Sequence, residues 1–194
     1  MVLSAAGAGL ADFNVDGRLL LGTVGWQRSD WLSEYYPVDL PPGWRLAYYA
    51  NDCGCVMLPG DTWLGMDPET LQESLEEAEG RLVYFLEAPP SWGPLERDRL
   101  SLFAAWRTVL LADRPDLKQA QLPQWTSQGP GAWVDRDSGA GLLRWSLDSW
   151  DMRTLRRKVD ALASDMPALI LDGPAASPAR VPELRTLLEL MGRA

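Results

Sequence analysis

The chain has 194 residues, 46% of them hydrophobic, with 18 Lys+Arg against 27 Asp+Glu and no histidine, for a formal charge of −9 at pH 7. That length can bury one sizeable core, so a single domain over 1–194 is expected. The negative field disfavours nucleic acid and anionic membrane surfaces as partners. The one basic cluster, Arg153, Arg156, Arg157 and Lys158, suits the solvated face of a helix.

Met1 to Asp16 is rich in Ala, Gly and Ser, its apolar run is broken by Gly7 and Gly9, and it has no basic start. It reads as a flexible or peripheral segment and not as a secretory signal. No later run is long enough to span a bilayer, and a cytoplasmic location is expected. Leu19 to Leu21 predicts a first strand, leaving the sheet through Gly22-Thr23-Val24-Gly25-Trp26 into an aromatic loop with Trp31, Tyr35 and Tyr36. A first helix is expected over about Pro42–Asn51, with Leu46, Tyr49 and Ala50 inward, and Trp31 and Trp44 holding the first loop onto it. Cys53 to Leu58 predicts a second strand whose C-x-C spacing puts both thiols on one face. Without histidine these two cannot complete a zinc site, and reduced, structural cysteines are expected.

Asp67-Pro68 is a helix start, because the Asp side chain can cap free N–H groups and proline suits the first turn. Leu71, Leu75 and Ala78 line its inner face, and Gly80 stops it. Arg81–Glu87 is nearly apolar, as a strand covered on both faces should be. Leu95–Ala112 is expected to form the longest helix, with Leu102, Ala105, Trp106 and Val109 at helical spacing, and Leu117–Leu122 the fourth strand. In the Gly-, Ser- and Asp-rich stretch Thr126–Gly141 only Ala132–Asp135 suits a short strand. Leu142–Leu147 is a firm strand. Asp151 caps a helix with Met152, Leu155, Val159 and Leu162 inward, Pro167–Leu171 is the final strand, and the last helix carries Leu184, Leu187, Leu188 and Met191. Strands alternating with helices indicate an α/β fold with a mostly parallel sheet.

Several of these segments carry a family resemblance. Gly22-Thr23-Val24-Gly25-Trp26, then Trp31 and Tyr35-Tyr36-Pro37, resemble the G-T-S-G-W, W and F-Y-P signature of the bacterial YecE-like family, a group of uncharacterised domains. Leu40-Pro41-Pro42 through Leu46-Ala47-Tyr48-Tyr49-Ala50 is similar to its L-P-P-x-x-x-L-x-Y-Y-A helix. Tyr84 to Pro89 resembles the F-x-V-K-A strand end, with Glu87 in the lysine position, and Gln121-Leu122-Pro123 is similar to F-Q-L-P-P. Leu143-Arg144-Trp145 stands where the family has R-L-H-G, and Leu169 to Leu188 resembles its closing strand and helix. The resemblance implies a TIM-type β/α barrel and no settled activity.

The chain departs from that family where chemistry would sit. Its T-H, R-H-P-S-W and H-G motifs are lost with every histidine, so imidazole acid/base chemistry is excluded. Pro59-Gly60-Asp61-Thr62-Trp63 replaces the E-x-N-x-T-F-Y exit of the second strand. A full eight-stranded barrel usually takes roughly 200 residues or more. About six firm strands and a stub are therefore expected, in a reduced or distorted barrel left partly open. Its exposed edge would be covered by Thr126–Gly141 or by a second copy in a homodimer.

Ligands of such folds bind at the carboxyl ends of the strands. The exits carry Trp26, then Asp61 and Trp63, Glu87 and Trp92, Gln124 and Trp125, Asp148 and Trp150, and finally Asp172. A mouth so lined suits a small polar ligand such as a sugar or an organic cation, with Trp26, Asp61, Trp63, Trp92, Trp125 and Trp150 as binding residues. Tryptophans at strand exits also commonly plug a mouth, so a non-catalytic binding or interaction protein is expected, taking a small polar ligand or a protein partner. The alternative is a hydrolase using Glu87 with Asp148 or Asp172 as paired carboxylates. No nucleotide-binding glycine motif is present, no cofactor is implied, and no spacing supports a divalent ion on Asp61, Glu87 and Asp172.

Overall fold

The computed structural model describes residues 18–112, 122–163 and 166–193. Eight strands close into a barrel in sequence order: β1 (Leu20–Val24), β2 (Cys55–Leu58), β3 (Val83–Glu87), β4 (Thr108–Leu111), β5 (Gln124–Gly129), β6 (Ala132–Val134), β7 (Gly141–Ser146) and β8 (Ala168–Asp172). β1 pairs in parallel with both β2 and β8, which seals the ring. The sheet is mostly parallel, with β6 running antiparallel to both its neighbours.

The expected open edge is therefore absent, and with it the reason for a second copy to cover it. Thr126–Gly141, read as a cover, is instead part of the wall: β5 turns straight back into β6, and β6 into β7. A hairpin needs only a few residues where a parallel crossover needs a dozen or more, which is how a short chain completes the ring. The first turn depends on Gly131, whose φ of +72° is left-handed and whose Cβ, if present, would stand 2.9 Å from the Arg144 carbonyl oxygen.

Alternation along each strand separates two apolar layers. Met57, Phe85, Val109, Trp125, Leu142 and Ile170 fill the barrel. Their neighbours Leu58, Leu86, Leu110, Leu169 and Leu171 face outward, onto helices contributing Leu46, Leu75, Leu155 and Leu184. A strand buried on both faces must read as a continuous apolar run, and β2, β3 and β8 do.

Two helices begin where the capping residues predict. Asp67 accepts a hydrogen bond from the Thr70 amide at 2.9 Å, starting the helix Pro68–Glu77, and Asp151 accepts from the Thr154 amide at 2.8 Å, starting Met152–Asp160. Within the latter, Leu155 and Val159 are buried but Met152 is half exposed, because it lies in the first turn beyond the barrel wall. The first helix is a 3-10 turn, Pro42–Trp44, followed by Arg45–Tyr49; Trp44 is exposed, and Trp31 is buried and ties the first loop to the segment after β8, donating from Nε1 to the Ala176 carbonyl at 3.1 Å.

Two further expectations need correction, and two others fall mostly or wholly outside the described residues. The helix predicted over Leu95–Ala112 stops at Ser101, and Thr108–Leu111 is β4. The β-branched Thr108 and Val109 gain a completed parallel ladder with β3 and bury fully there, which outweighs the helical spacing of Leu102, Ala105, Trp106 and Val109. The strand expected at Leu117–Leu122 lies outside the described residues except for Leu122, which is not in a strand, and the segment Met1–Asp16 lies outside them altogether. The two cysteines do not share a face: Cys53 precedes β2 and packs with the outer layer, while Cys55 points into the barrel. Both are buried and free.

Candidate functional site

What reaches the mouth of the barrel follows from the same alternation. Phe85, Leu142 and Ile170 point inward, so the next inward positions toward the carboxyl ends of β3, β7 and β8 are Glu87, Arg144 and Asp172. The final interior layer is therefore polar. Arg144 donates from Nη1 to Glu87 Oε1 at 3.5 Å, and from Nε and Nη2 to Asp172 Oδ2 at 3.0 and 2.7 Å. The three side chains remain 29%, 30% and 27% exposed, so the layer is open to solvent on its upper side. In the apolar interior, Trp125 packs on Phe85, the inward residue before Glu87, with ring centroids 5.4 Å apart.

Glu87 is the electrostatically perturbed member. Burial pushes its carboxyl above the usual carboxylate range; the Arg144 guanidinium pulls it back, while the charges of Asp172 and Asp61 add to the rise. Its own backbone is fixed from behind, because Trp63 Nε1 donates to the Glu87 carbonyl at 3.0 Å.

A cavity of about 520 Å³ opens beside this layer, lined by the β1 exit (Val24 to Arg28), by Pro59, Thr62, Gly65 and Met66, and by Asp172. Arg28 is tied down: its Nε and Nη2 bind the Asp30 carboxylate at 3.1 and 2.6 Å, its Nη1 donates to the Gly173 carbonyl at 2.8 Å, and its guanidinium lies 4.7 Å from the centroid of the Trp31 ring. The loops after β1 and β8 are thereby clamped together at the rim. Gly173 is required at this clamp: its φ is +91°, and a Cβ there would come within 2.7 Å of the Leu147 carbonyl oxygen.

Among the candidate residues read from the sequence, the fold brings Glu87 and Asp172 together through Arg144 and leaves Asp148 exposed on the loop after β7. Asp61 is exposed on the short helix Gly60–Gly65 and acts on Glu87 only through its charge. The tryptophan mouth is not found as expected. Trp26, Trp63 and Trp125 are 1%, 0% and 2% exposed, and of the three only Trp26 lines the cavity. Trp92 and Trp150 pack partly buried against the outer layer, Trp150 donating from Nε1 to Glu183 at 2.8 Å. Large apolar rings with this much area are worth more under the helices than in a wet mouth.

Sequence reasoning missed Arg144 and Arg28. Arg144 carried a usable signal, since it stands two residues after Leu142 in an alternating strand, on the inward face. Arg28 carried none, because its contacts with Asp30 and with Gly173 depend on how two distant loops meet. Among the described residues no three His, Cys, Asp or Glu side chains converge as a metal site, and no helix is long and apolar enough to cross a membrane. No family model, curated protein or solved structure compared with the chain matches it.

Proposed function

We propose that this protein is a non-catalytic binding protein of a shortened, TIM-type β/α barrel related to the YecE-like family, with its ligand site at the carboxyl ends of β1, β2 and β8. One observation carries the reading: the interior ends in the exposed Glu87–Arg144–Asp172 layer, and Asp172 is shared between that layer and a cavity of about 520 Å³. Pockets of a few hundred Å³ with apolar walls and a few convergent polar groups are the usual form of a small-molecule site. In an all-parallel barrel this end is where ligands bind, and the hairpin β5–β6 shortens the opposite side of the ring without touching β1, β2 or β8.

Tryptophan fluorescence titrated with a library of sugars, nucleosides and small amines tests this, since Trp26 is part of the cavity wall. A saturable change that is weakened by Arg144→Met supports the site. Silence across the library, from a protein that remains folded, counts against it.

Glu87 favours one second reading. A carboxyl held above its usual range close to a second carboxyl is the arrangement of a general acid in glycoside hydrolysis. Against it, Arg144 already occupies Oδ2 of Asp172 with two hydrogen bonds, and a nucleophile or base so engaged is weakened. Hydrolysis of chromogenic glycosides by the wild type, abolished in Glu87→Gln, would favour this alternative.

A further inference from the structure

We infer that the cavity is selective for an organic cation, a primary ammonium or a related group carried on an apolar body, with Asp172 as the residue that receives the charge. This rests on the reading of the mouth as a binding site and adds the class of ligand. Among the described residues the polar groups around the cavity do not balance. Arg28 is answered by the Asp30 carboxylate and by the Gly173 carbonyl, so it offers little to an anion. In the adjoining layer two carboxylates, Glu87 and Asp172, face a single guanidinium, and the charge of Asp61 is felt there as well.

The geometry also leaves the carboxylates partly unused. Both close bonds from Arg144 fall on Oδ2 of Asp172, and among the described residues Oδ1 accepts no hydrogen bond. Among the described residues the Glu87 carboxylate accepts only the 3.5 Å contact. An ammonium at the cavity side of Asp172 adds the missing positive charge without displacing Arg144, whereas a carboxylate or phosphate there would meet the surplus. Val24, Pro59 and Met66 supply apolar wall for the body of the ligand. Trp26, 1% exposed, belongs to the same wall. The overall charge of −9 steers cations toward the protein.

The test compares three probes with one body and three charges: 2-phenylethylamine, 2-phenylethanol and 3-phenylpropionate, each titrated by calorimetry at low and high salt. The expected result is that the amine binds about tenfold or more tightly than either other probe, and that Asp172→Asn removes this preference. Salt should weaken the amine most. Glu87→Gln, which keeps the Arg144–Asp172 pair, serves if Asp172→Asn does not fold, and should reduce the preference in the same direction. Equal binding of amine and alcohol, tighter binding of the carboxylate, or a preference that survives in both variants overturns the inference while leaving a binding site in place. Absence of binding by all three also overturns it; if the broader library is silent as well, the binding reading falls with it.

Discussion

Arg144 sets two of its nitrogens, Nε and Nη2, against a single oxygen of Asp172, at 3.0 and 2.7 Å, and reaches Glu87 only at 3.5 Å. The guanidinium is thus committed to β8 and merely leans toward β3. Replacing it with methionine keeps the apolar stem and removes the charge, leaving two carboxylates facing each other. The expected loss is about 1–2 kcal/mol at neutral pH, moderate because the groups are partly exposed. Denaturant unfolding of Arg144→Met checks it, and most of the loss should return in the double variant with Asp172→Asn.

Glu87 predicts a pH dependence of definite sign. A carboxyl whose folded-state pKa is raised holds its proton more tightly when folded than when unfolded. Its contribution to stability is therefore complete below the ordinary value of 4.5 and is lost as pH rises through the raised folded-state value. Glu87→Gln should consequently melt higher than the wild type at pH 7, with the gap closing below pH 4.5. Melting curves across that range decide it; a variant less stable at neutral pH would mean that the Arg144 contact outweighs desolvation.

The caps behave in the opposite sense. Backbone and side-chain bonds from Thr70 hold Asp67 below its ordinary 3.8, and Thr154 does the same for Asp151. Their stabilisation is present above 3.8 and is lost as pH falls through the lowered folded-state values. Asp67→Ala and Asp151→Ala should each lower the Tm at pH 7, and the deficit should shrink in strong acid.

Tyr49 is buried between β1 and β2, where its hydroxyl accepts from the Thr23 amide at 2.8 Å and donates to the Cys55 carbonyl at 2.8 Å. Tyr49→Phe leaves both backbone groups buried without that partner, an expected cost of about 1–3 kcal/mol. Gly22, in the same strand pair, admits nothing larger: a Cβ would lie 1.9 Å from the Cys55 carbonyl oxygen, and Gly22→Ala should fail to give folded protein. Gly65→Ala is the control, since nothing lies within 4 Å of its Cβ position.

The thiols supply a last check. Burial pushes Cys53 up to about 12 and Cys55 well above its ordinary value, so neither supplies thiolate near neutrality. A disulfide exchange reagent at pH 8 should label native protein only as fast as it unfolds, and denatured protein at once.

Most strands and the helices capped by Asp67 and Asp151 were legible because their signals are local. The double-sided burial of β2, β3 and β8 writes itself as unbroken apolar runs, and Asp67 and Asp151 cap within their own first turns. β4 was not legible. Thr108–Leu111 carries both a helical and an extended pattern over a few residues, and only the ladder with β3 selects between them.

By itself, then, the sequence determined the alternation of strand and helix, the caps, the absence of imidazole chemistry, and that Glu87 and Asp172 stand at strand ends. Tertiary structure decided that the barrel closes through the β5–β6 hairpin, that Trp63 and Trp125 are buried away from the cavity, and that Asp148 stays outside the polar layer. It also set Arg144 between two carboxylates separated from it by 57 and 28 residues. The physical reason is one of range. Propensity, capping and burial period act within a turn or a strand, whereas closure and charge pairing depend on which strands become neighbours, and that is fixed only once the whole ring has formed.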